Sequence, residues 1–252
     1  MIVGILQARM GSSRLPGKVL MEILGKPMLI LQIERLQRTC MIDRLVVATT
    51  KNLLDDPIED LCCSINIPCF RGSENDLLDR YYQAAKKYKA EYVVRLTGDD
   101  PLTDPVLIDR MIKKMRFEKC AAVTNSVIPT YPEGLDVTVL SFEALEGAWE
   151  EAKLQSQREH VTPYIFDTSN GFNIYHFQQE SDQSKLRWTV DYEEDFLFVE
   201  KIYEGLYMQN MNFSTDDIYQ FIRNNPSLIS LNSQFVRNAG LIESRKHDRQ
   251  VK

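Results

Sequence analysis

Short apolar segments alternate with amphipathic ones along the first half of the chain, and this alternation constrains the fold more than any other feature. Residues 2–6 form a continuous apolar run, which is typical of a strand buried on both faces of a parallel sheet. The other predicted strands are 44–49, 68–70, 92–96 and 120–124, and the predicted helices between them are 27–38, 56–64, 76–88 and 104–116. This spacing indicates βαβ units and therefore an α/β fold with a mainly parallel sheet.

The second half of the chain is less regular. The predicted strands there are 137–142 and 172–177, the latter able to run antiparallel, and the predicted helices are 142–152, 157–167 and 192–205, with a short apolar-centred segment at 187–190. We assign residues 1–225 to one domain and 226–252 to a C-terminal extension. The charged end, from about residue 245, is expected to be frayed.

Composition narrows the class of protein. Among 252 residues, 44% are hydrophobic and 26% charged, which suits a packed core rather than a disordered chain. The net charge of -6 argues against a general binder of nucleic acid or membranes, so neither partner is expected. Five cysteines without a C-x-x-C pair argue against a disulfide framework or a zinc site. Neither a signal peptide nor an apolar run long enough for a bilayer is present, so we expect a cytoplasmic protein.

The loop after the first strand is the most informative part of the sequence. It reads QARMGSSRLPGK over residues 7–18 and follows a strand end, where open parallel sheets bind ligands. Gly11 and Gly17 allow close approach of the backbone. Arg9, Arg14 and Lys18 suit the roughly four negative charges of a nucleoside triphosphate when one Mg²⁺ is also bound. The alternative is a solvated surface loop. Neither the Walker A pattern nor G-x-G-x-x-G occurs here, which disfavours P-loop enzymes and dehydrogenases.

The same loop carries a family resemblance. Residues 5–18 closely resemble the cytidylyltransferases that activate acylneuraminic acids and 3-deoxy-manno-octulosonic acid, above all the branch called spore coat polysaccharide biosynthesis protein F. Supporting segments are 70–76 (FRGSEND), 78–81 (LDRY), 96–102 (LTGDDPL), 133–136 (EGLD), 158–162 (REHVT) and 189–191 (TVD). The resemblance covers most of the chain to about residue 225. It implies a Rossmann-like nucleotidyltransferase fold of three layers, with a mainly parallel, mixed sheet, as in GT-A glycosyltransferases.

The resemblance also implies a set of nucleotide-binding residues. These are Gln7, Ala8, Arg9, Met10, Gly11, Ser12, Arg14, Lys18, Arg71, Gly72, Thr97 and Gly98. Arg71 is expected near the base, whereas Asp79 and Arg80 are interpreted as an exposed helix pair. Thr97 agrees with the spore coat branch but departs from the octulosonate enzymes, which carry glutamine there, so base and acceptor preference do not transfer directly.

Two aspartates are candidates for a metal site. Asp99 follows a predicted strand, and Asp191 lies at a later junction before a helix. The resemblance implies that both bind Mg²⁺, which prefers one or two carboxylates with phosphate oxygens and water. We expect Arg14, Lys18, Asp99 and Asp191 to be the catalytic residues. The alternatives are an ordinary turn at Asp100-Pro101 and a helix N-cap formed by Asp191 with Glu194.

Acceptor binding is expected on a separate set of polar residues. The candidates are Glu133, Gly134, Asp136, Arg158 and His160. Arg158 has the geometry to hold a sugar carboxylate in a bidentate way. His160 would orient a hydroxyl, although a lone histidine in such surroundings is more often structural.

The sequence therefore predicts a Mg²⁺-dependent enzyme that couples CTP to a sugar acid or related sugar and releases pyrophosphate, in cell-surface or spore-coat polysaccharide biosynthesis. A homodimer is compatible with the resemblance. One alternative is a GT-A-type glycosyltransferase with a nucleotide-sugar donor, since the fold is shared. Another is a nucleotide-binding subunit without catalysis, which the intact cationic and acidic residues disfavour.

Overall fold

The computed structural model describes residues 1–251 and contains a sheet of seven strands and a small hairpin. The strands are β1 (Ile2–Gln7), β2 (Glu22–Ile23), β3 (Lys26–Pro27), β4 (Arg44–Thr50), β5 (Cys69–Gly72), β6 (Tyr92–Thr97), β7 (Ala122–Thr124), β8 (Thr138–Ser141) and β9 (Ile174–His176). The α-helices are α1 (Met28–Leu36), α2 (Asp56–Ser64), α3 (Leu77–Lys87), α4 (Pro105–Glu118), α5 (Phe142–Glu151), α6 (Gln155–His160), α7 (Pro163–Phe166), α8 (Glu193–Leu206), α9 (Thr215–Asn224) and α10 (Ala239–Lys246).

The sheet is mixed but mostly parallel, as the sequence predicted. Its strand order is β5-β4-β1-β6-β8-β7-β9, and β8 runs antiparallel to both β6 and β7. Side chains alternate across β1, so that Ile2 and Leu6 enter one core cluster while Val3 and Ile5 enter the other. Helices α1, α4 and α8 cover the first face, and α3 and α5 cover the second. The result is the expected three-layer arrangement.

Register in the parallel part of the sheet places the site. Gln7, the last residue of β1, lies opposite Ala48 of β4 and Thr97 of β6. The carboxyl ends of these strands therefore meet at one edge, and the loops that leave them share that edge.

One prediction for the second half is wrong, and another is confirmed except for the direction of a strand. The single helix expected at 157–167 is divided into α6 and α7, because Val161 adopts a positive φ of 70° and Pro163 begins the next helix. The strand expected at 172–177 exists as β9, but it runs parallel to β7 rather than antiparallel.

The C-terminal segment, which we define as residues 226–251, packs against the rest of the chain. It consists of a 3₁₀ helix (Pro226–Leu231), an irregular stretch and α10. The end of the chain, predicted to be frayed, is hydrogen-bonded: Gln155 N donates to Arg249 O at 2.8 Å, and Val251 N donates to Lys153 O at 2.8 Å. The domain boundary at residue 225 stays a prediction.

Candidate active site

The loop that follows β1 is folded back on itself and fixed by a buried carboxylate. Met10 N donates to Asp55 Oδ1 at 2.7 Å, and Thr50 N donates to Asp55 Oδ2 at 3.2 Å. Gly17 N donates to Met10 O at 3.0 Å, and Gly17 has a φ of 71°, which favours glycine. Asp55, which the sequence analysis did not single out, thus ties the loop to the end of β4.

Within this loop the predicted nucleotide-binding residues divide by exposure. Arg9, Gly11 and Arg14 are exposed, whereas Ala8 and Lys18 are buried. Met10 and Ser12 are half-buried, and Ser12 Oγ accepts a hydrogen bond from Leu15 N at 3.3 Å. The loop therefore exposes Arg9 and Arg14 to solvent, while Ala8 and Lys18 pack into the protein.

Lys18 lies between the two carboxylates that the sequence assigned to a metal. Its ammonium donates to Asp99 Oδ2 at 3.1 Å, to Asp191 Oδ1 at 3.0 Å and to Val190 O at 2.5 Å. Val190 N in turn donates to Asp99 O at 2.8 Å, which joins the two segments directly. Three stretches that are distant in sequence thus converge on one ammonium group.

Lys18 and Asp191 each stabilise the charged form of the other. Burial acts to lower the pKa of Lys18, but the attraction of Asp99 and Asp191 is greater, so the pKa is raised. Burial acts to raise the pKa of Asp191, but the nearby cations, chiefly Lys18 and Arg14, lower it. Arg14 Nη2 lies 2.7 Å from Asp191 Oδ1. Both members of the central ion pair are therefore charged at neutral pH.

Arg187, which the sequence analysis missed, holds Asp191 from the other side. Its guanidinium donates to Asp191 Oδ2 at 3.0 Å, to Glu133 Oε2 at 2.6 Å and to Asp195 Oδ1 at 2.8 Å. Asp195 accepts from the backbone N–H groups of both Asp191 and Tyr192 at the start of α8. The N-cap of α8 is Tyr192, and Asp195, the third residue of the helix, accepts the N–H groups at its start, so Asp191 is not the N-cap that its sequence context allowed.

Asp100 differs from its neighbour Asp99. It is 7% exposed, and its carboxyl accepts a hydrogen bond from the Thr97 hydroxyl. Burial and the repulsion of Asp99 raise its pKa well above the ordinary value. The Asp100 carboxyl therefore stabilises the turn after β6 through Thr97. Because its raised pKa favours the neutral form, it is poorly suited to hold a cation.

The pair of Asp99 and Asp191 fits a divalent cation because both carboxylates already contact one cation, the Lys18 ammonium. Within residues 1–251, no group of three or more His, Cys, Asp or Glu side chains is placed to hold a metal ion. An ion bound here would need phosphate oxygens and water to complete its shell, which is the coordination that Mg²⁺ prefers.

Glycine is required beside the end of β1. A Cβ atom on Gly98 would lie 2.8 Å from Gln7 O, and Gly98 N donates to that same oxygen at 2.8 Å. Gln7 Oε1 is buried and lacks a hydrogen-bond partner within residues 1–251. A polar ligand group at this edge would satisfy it.

The expectation that Arg80 is an exposed helix residue is wrong. Arg80 is 3% exposed, and its Nε is buried without a hydrogen-bond partner in the described part of the chain. Burial and the charge of Arg9 lower its pKa. Its stem passes close to Gly72, where a Cβ would lie 2.9 Å from Arg80 Cγ. Sequence reasoning missed Arg80 because its burial depends on a glycine in another element.

Arg71, predicted near the nucleotide base, forms hydrogen bonds and ion pairs with residues of the loop after β4 and of α2. It donates to Thr50 O at 2.8 Å and to Asn52 O at 2.7 Å, and Nη1 lies 2.8 Å from Glu59 Oε2 and 2.6 Å from Asp56 Oδ1. A contact between Arg71 and a nucleotide base stays a prediction.

The predicted acceptor residues before β8 lie beside the carboxylate pair. Glu133 pairs with Arg187 and accepts a hydrogen bond from Asn238 N at 2.9 Å, while Asp136 pairs with Arg237. Gly134 has a φ of 105°, and a Cβ there would lie 2.5 Å from Thr189 N. The glycine therefore lets residues 133–134 pack against the backbone of residues 188–189, which lead to Asp191.

Arg158 and His160 are held by structural partners. Arg158 is 5% exposed and donates to Asp76 Oδ2 at 2.8 and 2.6 Å and to Trp149 O at 2.7 Å. His160 Nε2 lies 3.0 Å from Ser244 Oγ, and burial above all lowers its pKa to about 4. The imidazole is neutral at neutral pH. Acceptor contacts by Arg158 and His160 stay predictions.

The sheet, the cationic loop and the carboxylate pair at its edge define a nucleotidyltransferase of α/β fold. More narrowly, the chain belongs to the cytidylyltransferase family, whose model matches residues 3–220. None of the helices within residues 1–251 is long and apolar enough to cross a membrane.

Individual relatives agree with the family. The chain is 38% identical over 236 residues to an uncharacterised protein of Methanocaldococcus jannaschii, covering 92% of this chain and 94% of that protein. It is 31% identical over 232 residues to the spore coat polysaccharide biosynthesis protein SpsF of Bacillus subtilis, covering 89% and 95%. It is 36% identical over 140 residues to the mitochondrial 3-deoxy-manno-octulosonate cytidylyltransferase of Arabidopsis thaliana, covering 54% and 47%.

A solved structure matches almost the whole chain. It is a cytidylyltransferase from Leptospira borgpetersenii, with a TM-score of 0.88 and 33% identity, covering 94% of this chain and 99% of that one. The fold predicted from the sequence is confirmed by this likeness.

Proposed function

We propose that this protein transfers a cytidylyl group from CTP to a hydroxyl group of a sugar acid or related sugar, in polysaccharide biosynthesis. The observation that carries the proposal is the convergence of Arg14 and Lys18, from the loop after β1, on Asp99 and Asp191. The family supports CTP, and the relatives named for the spore coat and for 3-deoxy-manno-octulosonate support a sugar acid of polysaccharide synthesis. A cytoplasmic location and a homodimer stay predictions from the sequence.

In the proposed reaction the acceptor oxygen attacks the α-phosphorus and forms a new P–O bond. The bond between the α-phosphorus and the bridging oxygen breaks, and pyrophosphate leaves with that electron pair while the hydroxyl proton passes to solvent. Arg14 and Lys18 would offset the negative charge of the phosphates, and once the nucleotide is bound their contacts with it would limit reorganisation during the reaction. Arg187 and Asp195 position Asp191.

We propose that Asp99 and Asp191 hold Mg²⁺ when the nucleotide is bound. The ion would neutralise phosphate charge and lower the pKa of the attacking hydroxyl. Lys18 makes direct contact with both carboxylates in the free protein, so the ammonium would shift from them toward the phosphates when the ion enters.

The first test is nucleotide binding. We would measure the melting temperature of the full chain with each of the four ribonucleoside triphosphates, with and without Mg²⁺. A ligand that binds only the folded state raises the melting temperature by linkage. We expect a Mg²⁺-dependent shift that is largest with CTP. A shift with a nucleotide-diphosphate sugar and none with any triphosphate would favour a glycosyltransferase.

The second test is turnover, followed as pyrophosphate release from CTP with a panel of sugar acids. Asp99→Asn should lower kcat by at least about a hundredfold, because the substitution removes one of the two carboxylates proposed to hold the ion. Asp182→Asn is the matched control, since Asp182 is exposed and its carboxylate accepts local hydrogen bonds from Ser184. Equal turnover in both variants would remove Asp99 from the mechanism. CTP binding without pyrophosphate release from any sugar would favour a non-catalytic role.

A further inference from the structure

Arg95, on β6, is a half-buried arginine that forms no ion pair in the described part of the chain. It lies two residues after Val93, so its side chain leaves the sheet on the face covered by α3 and α5. Within residues 1–251 its guanidinium makes neither a hydrogen bond nor an ion pair, and its Nε is buried without an acceptor. Leaving a buried charged donor unsatisfied costs free energy, which an anionic ligand would recover.

Arg237, from the C-terminal segment, contacts the chain just before β8, next to Arg95. Arg95 is paired across the sheet with Thr138 of β8, and Asp136 lies two residues before Thr138. It pairs with Asp136 through Nη2, and its Nη1 donates to Tyr131 O at 3.1 Å. Its Nε is also buried without a partner among the described residues. Two arginines with unsatisfied buried Nε groups therefore stand near one carboxylate.

The charges of both arginines act on the pKa of Asp136. Burial raises its pKa, while the charges of Arg237 and Arg95 act to lower it. Two guanidinium groups and one carboxylate leave one positive charge if Asp136 is ionised, and more if it is protonated. This excess matches a ligand with one carboxylate, which the fork of a guanidinium can bind in a bidentate way.

Arg95 and Arg237 lie near Glu133, one of the residues predicted to bind the acceptor. The residue after Arg237 donates its backbone N–H to Glu133 Oε1 at 2.9 Å. Glu133 pairs with Arg187, and Arg187 pairs with Asp191. The chain of contacts thus runs from the C-terminal segment to the carboxylate proposed to hold the metal.

The C-terminal segment is fixed firmly enough to position a ligand. Phe235 stacks on Tyr192, the residue after Asp191, with ring centroids 3.9 Å apart. Asn232 Nδ2 donates to Asp195 Oδ1 at 2.9 Å. At its far end Ser156 Oγ donates to Asp248 Oδ2 at 2.6 Å. Arg237 is therefore held between two anchored ends.

We propose that Arg95 and Arg237 together bind the carboxylate of the acceptor, so that the C-terminal segment completes the acceptor pocket. The proposal rests on the proposed function, which supplies the acceptor. Arg158, the arginine predicted for this contact, is engaged with Asp76 and a backbone carbonyl. The C-terminal segment lies beyond residues 3–220, the part that matches the family, so acceptor choice is set partly outside the shared cytidylyltransferase unit.

The test is a thermal-shift measurement on the full chain with α,β-methylene-CTP and Mg²⁺ present. The probes are 3-deoxy-manno-octulosonate, N-acetylneuraminate and the methyl ester of each. We expect at least one acid, but neither ester, to raise the melting temperature of the native protein. Arg237→Gln should lose the shift with the acid and keep the shift with the nucleotide. Arg245→Gln is the matched control, because Arg245 is an exposed arginine of the same segment and should keep both shifts.

Kinetics separate acceptor binding from a purely structural role. With an acid that is turned over, Arg237→Gln should raise the acceptor KM by about tenfold to a hundredfold, while the KM for CTP and kcat change little. If Arg237→Gln does not fold, Arg95→Gln decides the question, since Arg95 lies in the sheet and outside the C-terminal segment. Arg237→Lys should recover part of the acceptor affinity.

Several outcomes would overturn the proposal. It fails if the acid shift survives in both Arg237→Gln and Arg95→Gln, or if the esters stabilise the native protein as well as the acids do. A nucleotide shift without any acid shift refutes the carboxylate site and leaves the cytidylyltransferase reaction standing. The absence of any nucleotide shift in the native protein counts against the proposed function itself.

Discussion

Replacing Lys18 with methionine tests the centre of the site most directly. The change removes one charge and keeps most of the side-chain volume, so the core cavity stays small. Three hydrogen bonds are lost, to Asp99, Asp191 and Val190. Asp191 keeps its contacts with Arg14 and Arg187, whereas Asp99 keeps no ion pair with a cation in the described part of the chain.

The cost follows from how well these groups are buried. Removing one partner of a fully buried ion pair destabilises a protein by about 3 to 5 kcal/mol. Lys18 is well buried, but the Asp99 side chain is 31% exposed and can be hydrated in the variant. We therefore expect a loss of about 2 to 3 kcal/mol in the free energy of unfolding. For a chain of this size that corresponds to a fall of about 5 to 10 °C in Tm.

Magnesium should act differently on the two proteins. In the native protein the Lys18 ammonium competes for the same carboxylates, so Mg²⁺ without nucleotide should change Tm little. In Lys18→Met the ammonium no longer competes for Asp99 and Asp191, and at about 100 times Kd binding of the ion contributes about 2.7 kcal/mol of stability. Most of the lost Tm should then return when Mg²⁺ is added. The assay is thermal unfolding followed by circular dichroism, with and without Mg²⁺ and without nucleotide.

The double variant Lys18→Met/Asp99→Asn is the control, because it lacks the cation and one of the two proposed ligands. It should gain little from Mg²⁺. The reasoning is refuted if Mg²⁺ stabilises the native protein and Lys18→Met equally, since the ammonium would then not occupy the position of the ion. It is also refuted if Lys18→Met is as stable as the native protein without any metal.

Three further predictions concern the walls of the site. Burial lowers the pKa of His160 from 6.5 in the unfolded chain to about 4 in the folded protein. Between these values the unfolded chain binds the extra proton, so stability falls as pH drops from 6.5 towards 4. The variant His160→Asn should remove up to about 3 kcal/mol of this pH dependence, measured by denaturant unfolding. Gly134→Ala should cost more than about 3 kcal/mol of stability, because its Cβ would meet the backbone of Thr189, whereas Gly11→Ala, with open space around it, should cost less than about 1 kcal/mol in the same assay. Arg80→Met should leave stability unchanged or raise it, since Arg80 is buried without an ion pair. The charge of Arg9, a predicted nucleotide-binding residue, acts on Arg80, so the variant should also shrink the thermal shift caused by CTP, and an unchanged CTP shift would exclude Arg80 from the nucleotide site.

Features that depend on neighbouring residues were predictable from the sequence. The strands of the parallel half are continuous apolar runs, and α4 begins where Asp104 caps it and Pro105 opens it. The loop after β1 carries its glycines and cations within a dozen positions, so its place at a strand end and its cationic character were both visible. The alternative of an ordinary surface loop fails for Lys18, which is 7% exposed.

Features that depend on contacts across the chain were not predictable. Val161 is β-branched and gives no local signal for a positive φ, yet its backbone turns there and divides the predicted helix. Asp191 carries a capping pattern with Glu194, but the N-cap is Tyr192 and its capping-box partner is Asp195, which Arg187 holds in place. Only the tertiary arrangement decides which of several acidic residues caps the helix and which one faces Lys18.

The two halves of the site differ in how they are built. The nucleotide side is assembled from a single loop and the strand ends beside it, so one segment of sequence is enough to suggest it. The acceptor side joins Asp136 to Arg237, which are 101 residues apart, and adds Arg95 from the middle of β6. An arginine in a strand looks like a surface residue in sequence, and only its buried Nε, which lacks a hydrogen-bond partner among the described residues, distinguishes it. The buried, unsatisfied Nε groups of these two arginines are therefore the better guide to the acceptor, because an unsatisfied cationic donor specifies an anionic ligand group.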